Sequence, residues 1–267
     1  MVFKNIKPKK SLGQNFLQDE NIARKIVSAL LINPNDSILE IGPGTGVLTK
    51  YLVQSDADVV AIEIDKKLAK QLEINFSDRQ KFKLHQGDFL KINLEDFLEP
   101  NKTWKTIGNL PYHITSPVLF KIFENSNFFE CCIFMMQKEV AQRIVAQPNC
   151  KDYGILSINS QYYAEVKKLF DVSRHVFFPS PKITSSVVKW NFKHRKDLTK
   201  EEEQIFRIIV KKVFSQRRKM LRNSLKIITD LEININKLDF DLEQRPEQLS
   251  VSDFIELSRQ VANQHLV

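Results

Sequence analysis

Glycine is scarce in this chain, seven in 267 residues, and cysteine scarcer still, at three. Cys131, Cys132 and Cys150 form no ligand-spaced set with the five histidines, and two of them are adjacent inside an apolar run. That excludes a zinc finger or a disulfide scaffold and predicts that the thiols pack in a core, with no bound metal. No stretch approaches the roughly 18 consecutive apolar residues of a spanning helix. The four lysines among residues 1–10 are not followed by the apolar segment of a secretory signal. These absences predict a soluble, cytoplasmic protein without a membrane partner. Internal repeats and low-complexity tracts are missing too.

What is present is an apolar fraction of 42%, enough over this length for one large α/β domain and a small appendage. The net charge of +8 is unevenly placed. Residues 1–25 hold six Lys/Arg against two Asp/Glu, and residues 211–226 hold seven against none. Two basic patches on a body that is otherwise slightly acidic suit a polyanion, because phosphate contacts are local and additive. Two solvated helical faces would give the same count.

From about residue 19 to 193, short apolar runs alternate with stretches of helical period, the pattern of a parallel sheet covered on both faces. Strands are predicted at Ser37 to Ile41, Val59 to Ile64, Phe82 to His85, Thr103 to Ile107, Cys131 to Met136, Val166 to Phe170 and Ser186 to Phe192. Helices are predicted over Asn21 to Leu31, Val47 to Gln54, Lys66 to Phe76, Pro117 to Glu124, Lys138 to Ala146 and Ile155 to Tyr163, with Ser116 capping the one that Pro117 opens. A polar linker, His194 to Asp197, follows, and beyond it the spacing is helical. The expected division is therefore a larger domain over residues 1–195 and a helical domain over 196–267. In the second, Ile205, Ile208, Ile209, Lys212 and Val213 suggest an amphipathic helix, and Ser250 with Asp253 resembles a capping box.

Because glycine is rare, its clustering is informative: three of the seven fall at Gly42, Gly44 and Gly46, after a strand and before a helix. Such a loop lets backbone approach a ligand closely. The dinucleotide fingerprint needs its third glycine one position later, and a phosphate-binding loop needs Gly-Lys-Ser/Thr where Gly46 precedes Val47. Both rivals are disfavoured, and a nucleoside-type methyl donor, S-adenosylmethionine, is the better fit. Glu63 ends the next strand, about 20 residues on, where a carboxylate can accept from both ribose hydroxyls. Asp88, after Gly87 at the third strand's end, can accept from an adenine amine, or simply cap a turn.

The fourth strand runs into Asn109-Leu110-Pro111-Tyr112 at the same sheet edge. An adenine amino nitrogen is a poor nucleophile because its lone pair is delocalised into the ring, and two acceptors on its N–H bonds would localise it. Asn109 offers a side-chain oxygen, Pro111 restricts Leu110 so that its carbonyl is the second acceptor, and Tyr112 offers a stacking face. These four are the expected reaction centre.

Gln14-Asn15-Phe16-Leu17, Glu40 to Gly46, Glu63, Gly87-Asp88, Asn109 to Tyr112, Phe178-Pro179-Ser180-Pro181, Phe214 to Lys219 and Arg245 to Leu249 together resemble the small-subunit (16S) ribosomal RNA adenine N6-dimethyltransferases of the KsgA type. The resemblance implies a class I methyltransferase (Rossmann-like) fold, with a seven-stranded mostly parallel sheet, helices on both faces and a small all-helical C-terminal domain. It implies an enzyme that methylates two adjacent adenosines near the 3′ end of the small-subunit RNA in an assembling 30S particle, working as a monomer. It further implies that Asn15, Leu17, Gly42, Glu63, Asp88 and Asn109 contact S-adenosylmethionine. The first two lie on an N-terminal segment that folds over it. Phe178 would stack on the target base opposite Tyr112. In the basic run, Arg217, Arg218, Lys219 and Arg222 would meet RNA phosphates while Val213, Phe214, Met220 and Leu221 pack. Two alternatives remain: a large-subunit RNA adenine methyltransferase of the macrolide-resistance type, and a non-catalytic assembly or transcription factor on the same scaffold.

Overall fold

The computed structural model describes residues 7–99, 101–192 and 197–264. The first half of the chain forms β1 (Phe16–Leu17), α1 (Glu20–Ser28), β2 (Ser37–Ile41), α2 (Thr49–Leu52), β3 (Asp58–Glu63), α3 (Lys66–Asn75), β4 (Phe82–Gln86), α4 (Leu94–Phe97), β5 (Trp104–Asn109) and α5 (Thr115–Glu124). There follow β6 (Phe129–Gln137), α6 (Lys138–Val145), α7 (Ile155–Tyr163), β7 (Ala164–Val172), β8 (Phe177–Phe178), β9 (Ser185–Phe192), α8 (Lys200–Ser215), α9 (Leu221–Leu225) and α10 (Val251–Asn263).

Seven strands make one sheet in the order β4-β3-β2-β5-β6-β9-β7, and β1 pairs separately with β8. Neighbours from β4 to β6 run parallel, and β9 is antiparallel to β6. Every residue of β2 is buried, as expected for a strand covered on both faces. Ile38, Ile107, Ile133 and Val187 pack beneath α1 with Ile26 and Leu52, and truncating a fully buried chain such as Ile38 costs about 2–5 kcal/mol. From β2 the chain winds outward through β3 and β4, then returns to build β5 and β6 on the other side. This reversal opens a crevice at the carboxyl ends of β2 and β5, where open α/β sheets bind ligands.

The helix starts have local causes. Asp19 accepts from the amides of Asn21 and Ile22 at the head of α1, and Asp65 accepts from Lys67 at the head of α3. The Ser250/Asp253 capping box forms as expected, and a second one, Thr199/Glu202, opens α8. The helix predicted from Pro117 starts two residues earlier, at Thr115, behind Ile114, which makes no side-chain cap bond, so Ser116 is not the cap. Pro117 is still in the first turn, where its missing N–H costs nothing.

Two compact units emerge: one runs to Ala141 and resumes over Glu165–Phe192, the other holds Gln142–Ala164 and the described residues from Asp197 on. This differs from a single cut at residue 195, and the linker at 194–196 lies outside the described residues. The cause is aromatic packing at long sequence range. The Tyr162 ring lies 4.5 Å from that of Phe206, and the Tyr153 hydroxyl donates to the Leu249 carbonyl at 2.9 Å. Within that second unit, Ile205, Phe206, Ile209, Val210 and Val213 form the buried face of α8, which packs on α10, α9 and α7. Met220, expected to pack, is 44% exposed because it precedes the start of α9 instead of lying on its inner face. Cys131 and Cys132 are core residues whose thiols burial pushes up, Cys131 to about 11, whereas Cys150 is exposed.

Candidate active site

The crevice at the carboxyl ends of β2, β3 and β5 is an open cleft of ≈ 940 Å³, mouth included, at the place where open α/β sheets take their ligands. Its floor is the glycine loop. Gly42 and Gly44 take φ of 68° and 59°, left-handed values that a side chain resists. In this geometry the Gly44 amide donates to Glu63 Oε2 at 2.9 Å, tying the loop to the end of β3. Gly46 has a different use. It does not line the cleft, and a Cβ there would come within 2.8 Å of Leu72 Cδ2, so its bareness lets α3 approach.

Glu63 is 3% exposed and takes a second bond, from the Asp65 amide to Oε1 at 2.8 Å. Burial raises its pKa, and the two amides pull it back in part. Each oxygen keeps a lone pair for a further donor, which suits a vicinal diol. Next to it, Ile64 lines the cleft with 49% of its surface exposed. Sequence reasoning missed Ile64, since an apolar residue at a strand end ordinarily reads as core. Beneath the loop lies Glu40, 1% exposed, its Oε2 accepting from Thr49 Oγ1 at 2.7 Å. Burial, with Glu63 nearby, pushes its pKa up to about 8, against the pull of Thr49.

Asp88 lines the cleft and also caps the turn that follows, its Oδ1 accepting from the Leu90 amide at 3.0 Å. Its Oδ2 has no hydrogen-bond partner among the described residues, so the capping and ligand roles do not compete. Lys121 of α5 pins this turn by donating to the carbonyls of Phe89, at 2.7 Å, and Ile92.

Over the cleft runs the N-terminal segment, held at several points. Lys9 Nζ lies 2.9 Å from Asp65 Oδ2, and Gln14 Nε2 donates to the same oxygen at 3.3 Å. Burial opposes the charge on Asp65, yet the bonds from Lys9, the Lys67 amide and Gln14 prevail and hold the carboxyl below its usual range. Asn15 and Leu17 both line the cleft, as does Phe16 between them. The Asn15 side chain donates to the Gly13 carbonyl at 3.3 Å. Phe16 rests close to Gly44, whose added Cβ would meet the ring at 3.3 Å. In β1, Phe16 pairs with Phe178 and Leu17 with Phe177.

Asn109, Leu110, Pro111 and Tyr112 all line the cleft where β5 ends. Asn109 Nδ2 donates to the Asn15 carbonyl at 3.0 Å. The Leu110 amide donates to the Met135 carbonyl at 3.1 Å, and its side chain is 1% exposed. Asn109 Oδ1 and the Leu110 carbonyl have no donor among the described residues. The Tyr112 hydroxyl bonds with Ser185 Oγ at 2.8 Å, which locks the ring, and burial raises its pKa. Phe178 is outside the cleft lining and 52% exposed, joined to it through Phe16. An exposed aromatic at a cleft rim is available for stacking from solvent.

The basic run divides. Arg217, expected to meet phosphate, is committed internally: its guanidinium donates to Glu247 Oε2 at 2.5 Å and to the carbonyls of Lys151 at 2.5 Å and Cys150 at 3.0 Å. Those partners are far away in sequence, so the run of charge alone did not reveal them. Arg218 and Lys219 are exposed, with no ion-pair partner among the described residues, and Arg222 makes an exposed pair with Glu243 at 2.7 Å.

The strand order, the glycine loop and the Asn-Leu-Pro-Tyr corner define a class I methyltransferase. Comparison with known proteins narrows this. The family described as "Ribosomal RNA adenine dimethylase" matches residues 5–263. The chain is 44% identical to a "Ribosomal RNA small subunit methyltransferase A" of Phocaeicola vulgatus over 258 residues, 96% of this chain and 90% of that one. It is 43% identical to the protein so named of Francisella tularensis subsp. novicida, over 94% and 97% of the two chains. Among solved structures, a dimethyladenosine transferase from Plasmodium falciparum superposes with a TM-score of 0.80 at 28% identity, covering 94% of this chain and 98% of that one. The 23S rRNA methyltransferase ErmE shares the fold, with a TM-score of 0.68 at 23% identity over 93% and 100%. The chain belongs to the ribosomal RNA adenine dimethylase family.

Proposed function

We propose that this protein is the S-adenosylmethionine-dependent enzyme that dimethylates N6 of two adjacent adenosines near the 3′ end of small-subunit ribosomal RNA, acting as a monomer on an assembling 30S particle. One observation carries the reading: Asn109 Oδ1 and the Leu110 carbonyl, on consecutive residues of the cleft lining, are two acceptors with no donor among the described residues.

The cleft residues fit S-adenosylmethionine: a glycine floor that admits backbone contact, Glu63 with lone pairs for a ribose diol, Ile64 as an apolar face, and Asp88 Oδ2 for an adenine amine. When bound, that cofactor supplies an electrophilic methyl on a sulfonium centre. The chain's own residues prepare the nucleophile. The oxygens of Asn109 and Leu110 accept the two N–H bonds of the adenine amino group and draw its lone pair out of conjugation. Tyr112, held by Ser185, and Phe178 at the rim offer aromatic faces for a base that has left its stack. Asn109 is not a base, so the proton leaves to water after the new bond forms, and rate comes from orientation.

The 44% identity to small-subunit enzymes favours that substrate over the large subunit, and two acceptors with no donor among the described residues argue against an idle scaffold. The test is methylation of immature small and large subunits, purified from cells lacking the modification, with labelled S-adenosylmethionine and mass spectrometry of the nucleosides. N6,N6-dimethyladenosine from the small subunit is expected. Label confined to the large subunit would overturn the assignment.

A further inference from the structure

The segment Ser173 to Thr184 contains Arg174, His175 and Lys182 and not one carboxylate. Arg174, His175, Phe178, Lys182 and Ile183 are all exposed. Neither Arg174 nor Lys182 has an ion-pair partner among the described residues. The nearest acid in sequence, Asp171, is already neutralised by Lys138 at 2.8 Å and Lys168 at 3.1 Å and accepts from Ser186 Oγ. An uncompensated cationic surface carrying two exposed apolar side chains, Phe178 and Ile183, is unusual, since exposed apolar groups gain from a partner that covers them.

The loop is fastened to the cleft from both sides. On the N-terminal side, the Gln18 amide donates to the Val176 carbonyl at 2.8 Å, and Leu17 and Phe16 pair with Phe177 and Phe178. On the C-terminal side, Ser185 bonds Tyr112 at 2.8 Å. Inside, Ser180 Oγ donates to the Arg174 carbonyl at 2.8 Å, and Arg174 Nη1 donates to the Lys182 carbonyl at 3.5 Å, which brings the two cationic residues together at the loop's neck. Anything held by this loop is therefore held next to two parts of the cleft lining, Phe16–Leu17 and Tyr112.

We propose that Ser173–Thr184 is a docking surface for the single-stranded RNA flanking the target adenine, with Arg174 and Lys182 on consecutive phosphates and Ile183 under a neighbouring base. This deepens the function argued above and rests on it. Single strands are favoured over duplex because bases must be unstacked to cover exposed side chains, and paired bases expose only edges and backbone.

The experiment uses the full chain and a fluorescein-labelled, adenine-containing single-stranded RNA 12-mer, with its blunt duplex as control, followed by anisotropy from low to moderate salt. Arg174→Gln with Lys182→Gln should weaken single-strand binding about 10-fold and reduce the slope of log K against log salt by about 1.4, at about 0.7 per phosphate contact. Duplex affinity should change less, and S-adenosylhomocysteine affinity should stay within two-fold. Arg174→Lys with Lys182→Arg should restore the slope. Lys182→Gln alone, which loses no side-chain bond among the described residues, covers the case in which the double variant misfolds and should lower the slope by about 0.7. An unchanged slope for soluble variants, or an equal loss on duplex, overturns the proposal. If the oligonucleotide effect appears but wild-type protein does not methylate small subunits, the docking surface stands and the assigned substrate fails.

Discussion

Asn109 donates through Nδ2 to the Asn15 carbonyl at 3.0 Å, so one amide both fastens the N-terminal segment across the cleft and turns its oxygen away from that segment. The two ends of the side chain thus have separate duties. Asn109→Ala removes both. Loss of an acceptor aimed at the reacting amine should lower kcat about 100-fold or more. Loss of the Asn15 bond should weaken S-adenosylhomocysteine binding by up to about 10-fold, the size of one hydrogen bond. RNA affinity, dominated by phosphates, should change little. Single-turnover methylation, calorimetry and anisotropy read these three effects separately, and wild-type turnover by the variant would remove Asn109 from the chemistry.

Asp65 links the same segment to the sheet. Its amide holds Glu63 at 2.8 Å while its carboxylate holds Lys9 at 2.9 Å and Gln14 at 3.3 Å. Asp65→Asn keeps an acceptor for the Lys67 amide but removes the charge that Lys9 requires. The Kd for S-adenosylhomocysteine should rise about 3- to 10-fold through a faster off-rate, with kcat at saturating cofactor within about two-fold. A shift in kcat with unchanged Kd would assign Asp65 a different role.

The strands were legible because a parallel sheet buries both faces, leaving apolar runs such as Ser37 to Ile41 between turn signals, and the structure meets each predicted strand within about two residues. The glycine loop and the Asn109 corner were legible because they are local in sequence. Contacts closed across long loops were not: Gln14 and Asp65 are 51 residues apart, Arg217 and Cys150 67. Nor did periodicity show that α7 belongs with α8, since an amphipathic helix has the same pattern whichever partner covers it.

The division of the basic run has a direct test. Arg217→Ala forfeits charge-assisted bonds to Glu247 and two carbonyls and should cost about 2 kcal/mol in urea unfolding. The salt slope of RNA binding should hold. Arg218→Gln with Lys219→Gln should do the reverse, lowering the slope on single-stranded RNA by about 1.4, at about 0.7 per phosphate contact, with stability changed by less than about 0.5 kcal/mol. Equal salt slopes for both variants would return Arg217 to the RNA surface.

Glu40 makes a pH signature. With its folded pKa pushed up to about 8 from the usual 4.5, the folded protein retains a proton that the unfolded chain releases across that interval. The native state binds more protons, so stability contributed through Glu40 is greatest below pH 4.5, declines as pH rises, and is fully lost above 8. The maximal slope from one such group is about 1.4 kcal/mol per pH unit. Glu40→Gln, which cannot titrate, keeps an oxygen for Thr49 Oγ1 and should remove this decline. The difference in unfolding free energy between variant and wild type should therefore grow in the variant's favour from pH 5 to 8 and level off beyond it. Parallel stability curves across that range would show that Glu40 stays charged in the folded protein.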